Sequence, residues 1–140
     1  MADRRLVRII DANSNRTREA LRVVEDVLRF WHEKGALARR VKRERHHVAR
    51  SCDRLLSEGS SRLGARDTAT DPGRDSMPCT EATRRNIGEV LLSNFRRAEE
   101  SLRVLEETAK LVDRESCRRF KRSRFRVYDI EKACRSLLEK

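Results

Sequence analysis

Apolar residues recur along this chain with the period of a helix. Ile10, Thr17, Leu21, Val24, Leu28 and Trp31 fall on the a and d positions of a heptad, and Leu91, Ala98, Leu102, Leu105, Ala109 and Val112 repeat the spacing. Side chains so spaced share one face of a helix. The opposite faces are strongly charged, as expected of helices packed on one side only. The apolar runs are only a few residues long, so no membrane-spanning helix is expected.

The two stripes sit inside a repeat. Asn13-x-x-Arg16-x-x-Glu19-x-Leu21-Arg22-Val23-Val24-Glu25 recurs 81 residues later as Asn94-x-x-Arg97-x-x-Glu100-x-Leu102-Arg103-Val104-Leu105-Glu106. Only Val24 against Leu105 differs among the named positions. A weaker repeat follows each copy: Arg39-Arg40-Val41-Lys42-Arg43-Glu44-Arg45 resembles Arg118-Arg119-Phe120-Lys121-Arg122-Ser123-Arg124. The unit is a helical hairpin used twice. The spacing predicts helices near 5–34, 37–58, 81–112 and 114–138. Gly35 is expected to end the first and Asp113 to cap the fourth. Asp3 and Asp11 both qualify as the cap of the first. The expected fold is all-α, one domain over 1–140. It is a four-helix bundle of two similar hairpins, about 5–58 and 81–138, joined by a long central loop at 59–80.

Composition supports a core but a lean one. Leu, Ile, Val and Phe make up 32 of 140 residues, just above the roughly 20% below which highly charged chains stay disordered. Five Gly, two Pro and six aromatic residues argue against an all-β fold. The opening Met-Ala-Asp-Arg-Arg leads into no apolar segment, so no secretory signal is expected. Cys52, Cys79, Cys117 and Cys134 form no C-x-x-C pair, which excludes zinc-finger and thioredoxin motifs. A reduced, cytoplasmic protein is expected.

The net charge is +11, and Arg supplies 28 of the 34 basic residues. The planar guanidinium suits carboxylate and phosphate. Nucleic acid, phosphorylated metabolites and ion-pair networks all fit that, as does a GC-rich genome. Single-strand binding relies on aromatic platforms. Six aromatics, most at core-like spacing, argue against nucleic acid. The sequence carries no signal for an oligomeric state.

Several standard sites are missing. Gly59-x-x-x-x-Gly64 has Walker spacing, but Ala65-Arg66 follows where Lys-Ser/Thr is needed. His46 and His47 are adjacent and diverge around a helix, so they form no i, i+4 metal pair. His32 stands alone. The central loop offers more, in Arg66-Asp67-Thr68-Ala69-Thr70-Asp71-Pro72-Gly73. Arg66 can pair with a phosphate. Asp67 and Asp71 offer the hard oxygens that Mg²⁺ accepts. Gly73 permits close backbone approach. A solvated linker with a turn at Asp71-Pro72-Gly73 is the plain alternative. Asn13, Arg16, Asn94 and Arg97 flank the apolar stripes. Packing the first and third helices face to face would bring these four toward one level, as a polar pocket. Ion pairs such as Arg22 with Glu25 and Glu100 with Arg103 are the alternative.

These blocks also resemble a known family. Arg8-Ile9-Ile10-Asp11-Ala12-Asn13-x-Asn15-Arg16-x-Arg18-Glu19-x-Leu21-Arg22-Val23-x-Glu25-Asp26 resembles the opening of an all-helical domain often fused ahead of thiamine-phosphate synthase. Ala65-Arg66-Asp67-Thr68-x-x-Asp71-x-Gly73 resembles that family's central loop. Asn94-Phe95-x-Arg97-Ala98-x-Glu100-Ser101-Leu102-Arg103-Val104-Leu105-Glu106-Glu107 resembles its third helix, and Arg45-His46 and Tyr128-x-x-Glu131-Lys132 echo the second and fourth. The resemblance covers nearly the whole chain. It implies a non-standard hydroxymethylpyrimidine-phosphate kinase, which moves the γ-phosphoryl of ATP onto the pyrimidine monophosphate. The synthase uses the resulting diphosphate. The sequence stops at Lys140 with no synthase barrel, so a free-standing member and a piece of a fusion both fit.

Phosphoryl transfer asks mainly for positioning and charge stabilisation. On that ground Arg66, Asp67 and Asp71 are the candidate catalytic residues. Asp67 and Asp71 are the candidate Mg²⁺ ligands. Asn13, Arg16, Arg45, Gly73, Asn94 and Arg97 are the candidate substrate-binding residues. The expected ligands are ATP, Mg²⁺ and a phosphorylated pyrimidine, and the expected partner is thiamine-phosphate synthase, fused or separate. A non-catalytic helical module that docks on or regulates the synthase is the alternative.

Overall fold

The computed structural model describes residues 3–56, 62–76 and 82–139. The predicted helix end at 58, the predicted start at 81, and Cys79 lie outside them. Among the described residues the fold is all-helical: α1 (Arg4–Asp26, continued by a π-helical turn over Val27–Trp31), α2 (Gly35–Leu55), α3 (Arg62–Ala65), α4 (Ile87–Ala109), α5 (Arg114–Ala133) and α6 (Arg135–Leu138). The two hairpins are α1–α2 and α4–α5. The broadest helix–helix interface joins them through α1 and α4.

Local chemistry sets the helix ends. Asp3, not Asp11, caps α1, accepting the Arg5 N–H at 2.8 Å. Asn86 caps α4 through the Glu89 N–H at 2.9 Å, so that helix starts at Ile87. Asp113 caps α5 through the Ser116 N–H at 2.7 Å, as expected. Gly35 does not end the first helix. It is the first residue of α2. The chain turns at Glu33, whose φ of 54° is left-handed, and the Lys34 N–H reaches back to the Leu28 carbonyl at 2.7 Å. The π turn is why: its wider loop absorbs a residue and moves the reversal upstream of the glycine.

The same turn corrects the apolar stripe. Leu21, Val24, Leu28, Leu102 and Leu105 are fully buried together, as predicted. Trp31 is not. The π turn rotates the register, and Phe30 and Trp31 are 68% and 67% exposed. Val112 also lies in solvent, because α4 ends at Ala109. Of the six aromatics, only Phe95 and Phe120 are in the core; Phe125 and Tyr128 are exposed and stack edge to face beside Arg124. The expectation that most aromatics serve the core is therefore wrong, because three of the four exposed ones sit off the stripe and a helix defect displaces the fourth.

α1 and α4 run antiparallel. Thr17 Oγ1 and Ser101 Oγ share a 2.7 Å hydrogen bond at their buried crossing, and Ile9 and Asn13 stand near Val104. Small residues there, including Ala20 and Ala98, let the backbones approach. Each hairpin is then clamped by a buried glutamate. Glu25 on α1 takes Arg45 of α2 at 3.0 Å, and Glu106 on α4 takes Arg124 of α5 at 2.9 Å. Arg22 and Arg103 approach the same two glutamates at 3.8 and 3.1 Å. These four pairs obey the sequence repeat.

Candidate functional site

A cavity of about 750 Å³ opens on the first half of α1. Ile9, Ala12 and Val104 give it an apolar floor. Arg5, Arg8, Arg16 and Arg66 surround it with guanidinium groups, and Asp67, Thr68 and Asp71 of the inter-hairpin segment complete the rim.

What brings that segment to α1 is Asp11. An aspartate inside a helix and 2% exposed needs compensation. It receives Arg66 Nε at 2.6 Å and Nη2 at 3.2 Å, and Arg62 Nε at 3.1 Å. Burial acts to raise the Asp11 pKa, but the hydrogen bonds from Arg66 and then Arg62 outweigh it and hold the carboxyl below the usual carboxylate range. Arg62 also donates to Asp53 Oδ1 at 3.2 Å and Ser14 Oγ at 3.1 Å, tying α3 to both helices of the first hairpin. Arg66, anchored this way at one side, remains 42% exposed in its side chain, with N–H groups left for a ligand.

The loop is folded by its own carboxylates. Asp67 accepts the Thr70 N–H at 3.1 Å and its hydroxyl at 2.6 Å. The Thr70 hydroxyl, then its N–H, lower the Asp67 pKa, so the group stays ionised at neutral pH. Asp71 Oδ1 accepts the Gly73 N–H at 2.9 Å. Among the described residues no three His, Cys, Asp or Glu side chains gather as a metal cage. Two carboxylates on one rim, each with acceptor capacity to spare, suit a cation that takes its other ligands from phosphate and water, as Mg²⁺ does.

Of the residues singled out from the sequence, Asn13, Arg16, Arg66, Asp67 and Asp71 line this one cavity. Gly73 does not; it serves the turn that follows Asp71. Arg45 lines a neighbouring cleft, its guanidinium held by Glu25. Asn94 and Arg97 are elsewhere. Because α1 and α4 are antiparallel, Asn13 meets Val104, ten residues beyond Asn94, about 15 Å along the helix at 1.5 Å per residue. The four-residue pocket expected between the repeats therefore does not form. Both asparagines turn back on their own helices, Asn13 Nδ2 to the Ile9 carbonyl at 2.9 Å and Asn94 Nδ2 to the Val90 carbonyl at 2.8 Å. Arg97 is exposed. The sequence reading passed over Arg8, Asn15, Arg62 and Val104, and took Asp11 only as a possible cap. One signal was available: Asp11 stands where the second copy has Leu92.

Residues 8–133 match the ThiD2 family. The chain belongs to that family. The ThiD2 match takes in every residue of the cavity except Arg5. Among curated relatives, the chain is 42% identical over 124 residues to a thiamine-phosphate synthase of Nostoc sp. (strain PCC 7120), covering 89% of this chain and 34% of that protein. It is 41% identical to the thiamine-phosphate synthase of Thermosynechococcus vestitus, covering 92% and 35%, and 40% identical to that of Gloeobacter violaceus, covering 90% and 35%. The chain thus spans about a third of the length of these relatives of the ThiD2 chain. No solved structure matches it. No helix among the described residues is long and apolar enough to cross a membrane.

Proposed function

We propose that this chain is a phosphotransferase of thiamine biosynthesis, which moves the γ-phosphoryl of ATP onto hydroxymethylpyrimidine phosphate at the cavity on α1. The observation that carries the reading is the union, around one apolar floor, of four guanidinium groups and the two loop carboxylates, beside the arginine-paired Asp11. Two anionic substrates need that many cations to meet. Membership of the ThiD2 family and kinship with thiamine-phosphate synthases supply the pathway.

The chemistry is simple to balance. A phosphate oxygen of the acceptor attacks the γ-phosphorus. The bond from that phosphorus to the β-bridging oxygen breaks, and its electron pair leaves with ADP. The acceptor oxygen is already ionised, so no general base is required. The residues' task is placement and charge. Arg66, braced by Asp11, and Arg8 and Arg16 on α1 hold the phosphates and offset the charge that shifts during transfer. Ile9, Ala12 and Val104 take a ring against their apolar surface. Asp67 and Asp71 would hold Mg²⁺, which when bound neutralises the nucleotide's phosphates.

A second reading is a helical module that regulates a synthase without turnover. It draws on the fact that the matched region is only about a third of the named relatives' length. One assay separates the two. ADP should appear from ATP only when hydroxymethylpyrimidine phosphate is supplied, and not with the unphosphorylated pyrimidine. Asp67→Asn should lower turnover by about 10²-fold or more, a loss typical of removing a charge-stabilising group. Its melting temperature should hardly change, because among the described residues Asp67 hydrogen-bonds only to Thr70 within its own exposed loop. Absence of ADP would remove the kinase reading; a fully active Asp67→Asn protein would remove Asp67 from the site.

A further inference from the structure

A second cleft lies along α1, next to the first. Asn15, Arg18, Glu19, Arg22 and Arg45 enclose about 430 Å³. Asn15 borders both spaces, and Glu19 is near enough to Arg66 for its charge to bear on that guanidinium. The two spaces are therefore neighbours along a continuous strip of α1.

Their linings differ in kind. The cavity has an apolar floor and both loop carboxylates. The cleft is lined by polar and charged residues, with three guanidinium groups and a single carboxylate. Its arginines are graded in how far they are committed. Arg45 is fixed by Glu25 through Nε and Nη2, at 3.1 and 3.0 Å. Arg22 approaches Glu25 only to 3.8 Å. Arg18 makes no ion pair among the described residues, although the equivalent position in the second hairpin is Glu99. Free, exposed guanidinium groups beside a rigid one form a site for a small phosphate. A carboxylate at the same site rejects a polyphosphate but accepts hydrogen bonds from an amino group.

We propose that the two substrates are divided between these spaces: the cleft of Arg18, Glu19, Arg22 and Arg45 seats the aminopyrimidine monophosphate, and the cavity seats the nucleotide with its metal. The inference rests on the kinase reading and extends it. Phosphate on Arg18 and Arg22, and the pyrimidine's amino group on Glu19, place the acceptor on the far side of Asn15 from the triphosphate. The side chain of Asn15 then stands at the boundary the phosphoryl group crosses. The carboxylates needed for the metal lie on one side only, which fixes which substrate goes where.

The test uses the whole chain and two probes, hydroxymethylpyrimidine phosphate and a non-hydrolysable ATP analogue with Mg²⁺, each titrated by calorimetry. Arg18→Gln/Arg22→Gln changes two exposed side chains, and its melting curve checks the fold. It should weaken binding of the pyrimidine phosphate by about tenfold or more, the scale of a lost charge-assisted hydrogen bond, and leave the ATP analogue within about twofold. In turnover, KM for the pyrimidine should rise while KM for ATP holds. Equal losses for both probes, loss of the nucleotide alone, or a wild-type chain that binds no pyrimidine phosphate would each overturn the division. The kinase reading fails separately. If the variant loses the pyrimidine as expected but the wild type releases no ADP, the cleft stands and the kinase falls. If ADP forms and the variant's pyrimidine KM is unchanged, the reverse holds.

Discussion

The two hairpins have nearly the same skeleton and different surfaces. In both, a buried glutamate on the first helix is clasped by an arginine of the second, Glu25 by Arg45 and Glu106 by Arg124. In both, an asparagine side chain bonds the carbonyl four residues back. The copies part at Asp11 against Leu92, Asn15 against Arg96, and Arg18 against Glu99. All three residues of the first hairpin serve the site: Asp11 docks the inter-hairpin segment, Asn15 borders both spaces and Arg18 lines the cleft. The repeated leucines and the Glu25 and Glu106 clamps are scaffold. The first hairpin's cavity and cleft combine repeated residues, such as Arg16 and Arg22, with Asp11, Asn15 and Arg18, which the second copy lacks.

That contrast can be broken at several points. Leu21→Ala and Leu102→Ala occupy equivalent, fully buried positions. Each should cost about 2–5 kcal/mol, measured by denaturant unfolding. A large inequality would mean that the core is not shared evenly. Asp11→Leu installs the residue of the second copy. Turnover should fall about 10²-fold, the scale of a small misplacement of a positioned group. Stability should also fall, since removing one partner of a buried ion pair leaves the charges of Arg62 and Arg66 uncompensated. Unchanged turnover would show that Arg66 needs no anchor.

The last contrast is in the second hairpin. Glu99 is buried, and burial first, then the hydrogen bond and charge of Glu131, push its pKa up to about 9. A carboxyl whose folded pKa is raised keeps its proton in the folded state while the unfolded chain releases it. Stability is then greatest at pH near or below the ordinary value of 4.5 and declines as the pH rises toward 9. Glu99→Gln should flatten that decline, so that the gap between the two proteins' melting temperatures widens from pH 5 to pH 8. The equivalent change at Arg18 should leave the pH profile as it is.

Much of the fold was legible in the sequence because helical periodicity and capping are local. The stripes of Leu21, Val24, Leu102 and Leu105 and the cap at Asp113 follow from spacing alone. The π turn that exposes Trp31 has no such signal, since a one-residue defect leaves the heptad pattern intact. The site was half legible. Arg66, Asp67 and Asp71 have the chemistry of phosphate and metal ligands wherever they lie, and Asn13 and Arg16 flank a stripe. Periodicity does not tell parallel from antiparallel packing, so it set Asn94 and Arg97 beside Asn13 when they belong about 15 Å along α4, at 1.5 Å per residue. Nor does it show which residue a distant loop docks on; the Arg66–Asp11 bond spans 55 positions.

The antiparallel crossing at Thr17 and Ser101 has a consequence for how the chain holds its shape. Each hairpin owns only half of a core: the stripe of α1 is covered by α4, and that of α4 by α1. A separated half would show water an apolar face for which it has no cover, at a length where small domains are already marginal. The two halves therefore melt as one cooperative unit. A chain cut in the connecting loop keeps its fold only as a two-piece complex, whose stability then depends on concentration.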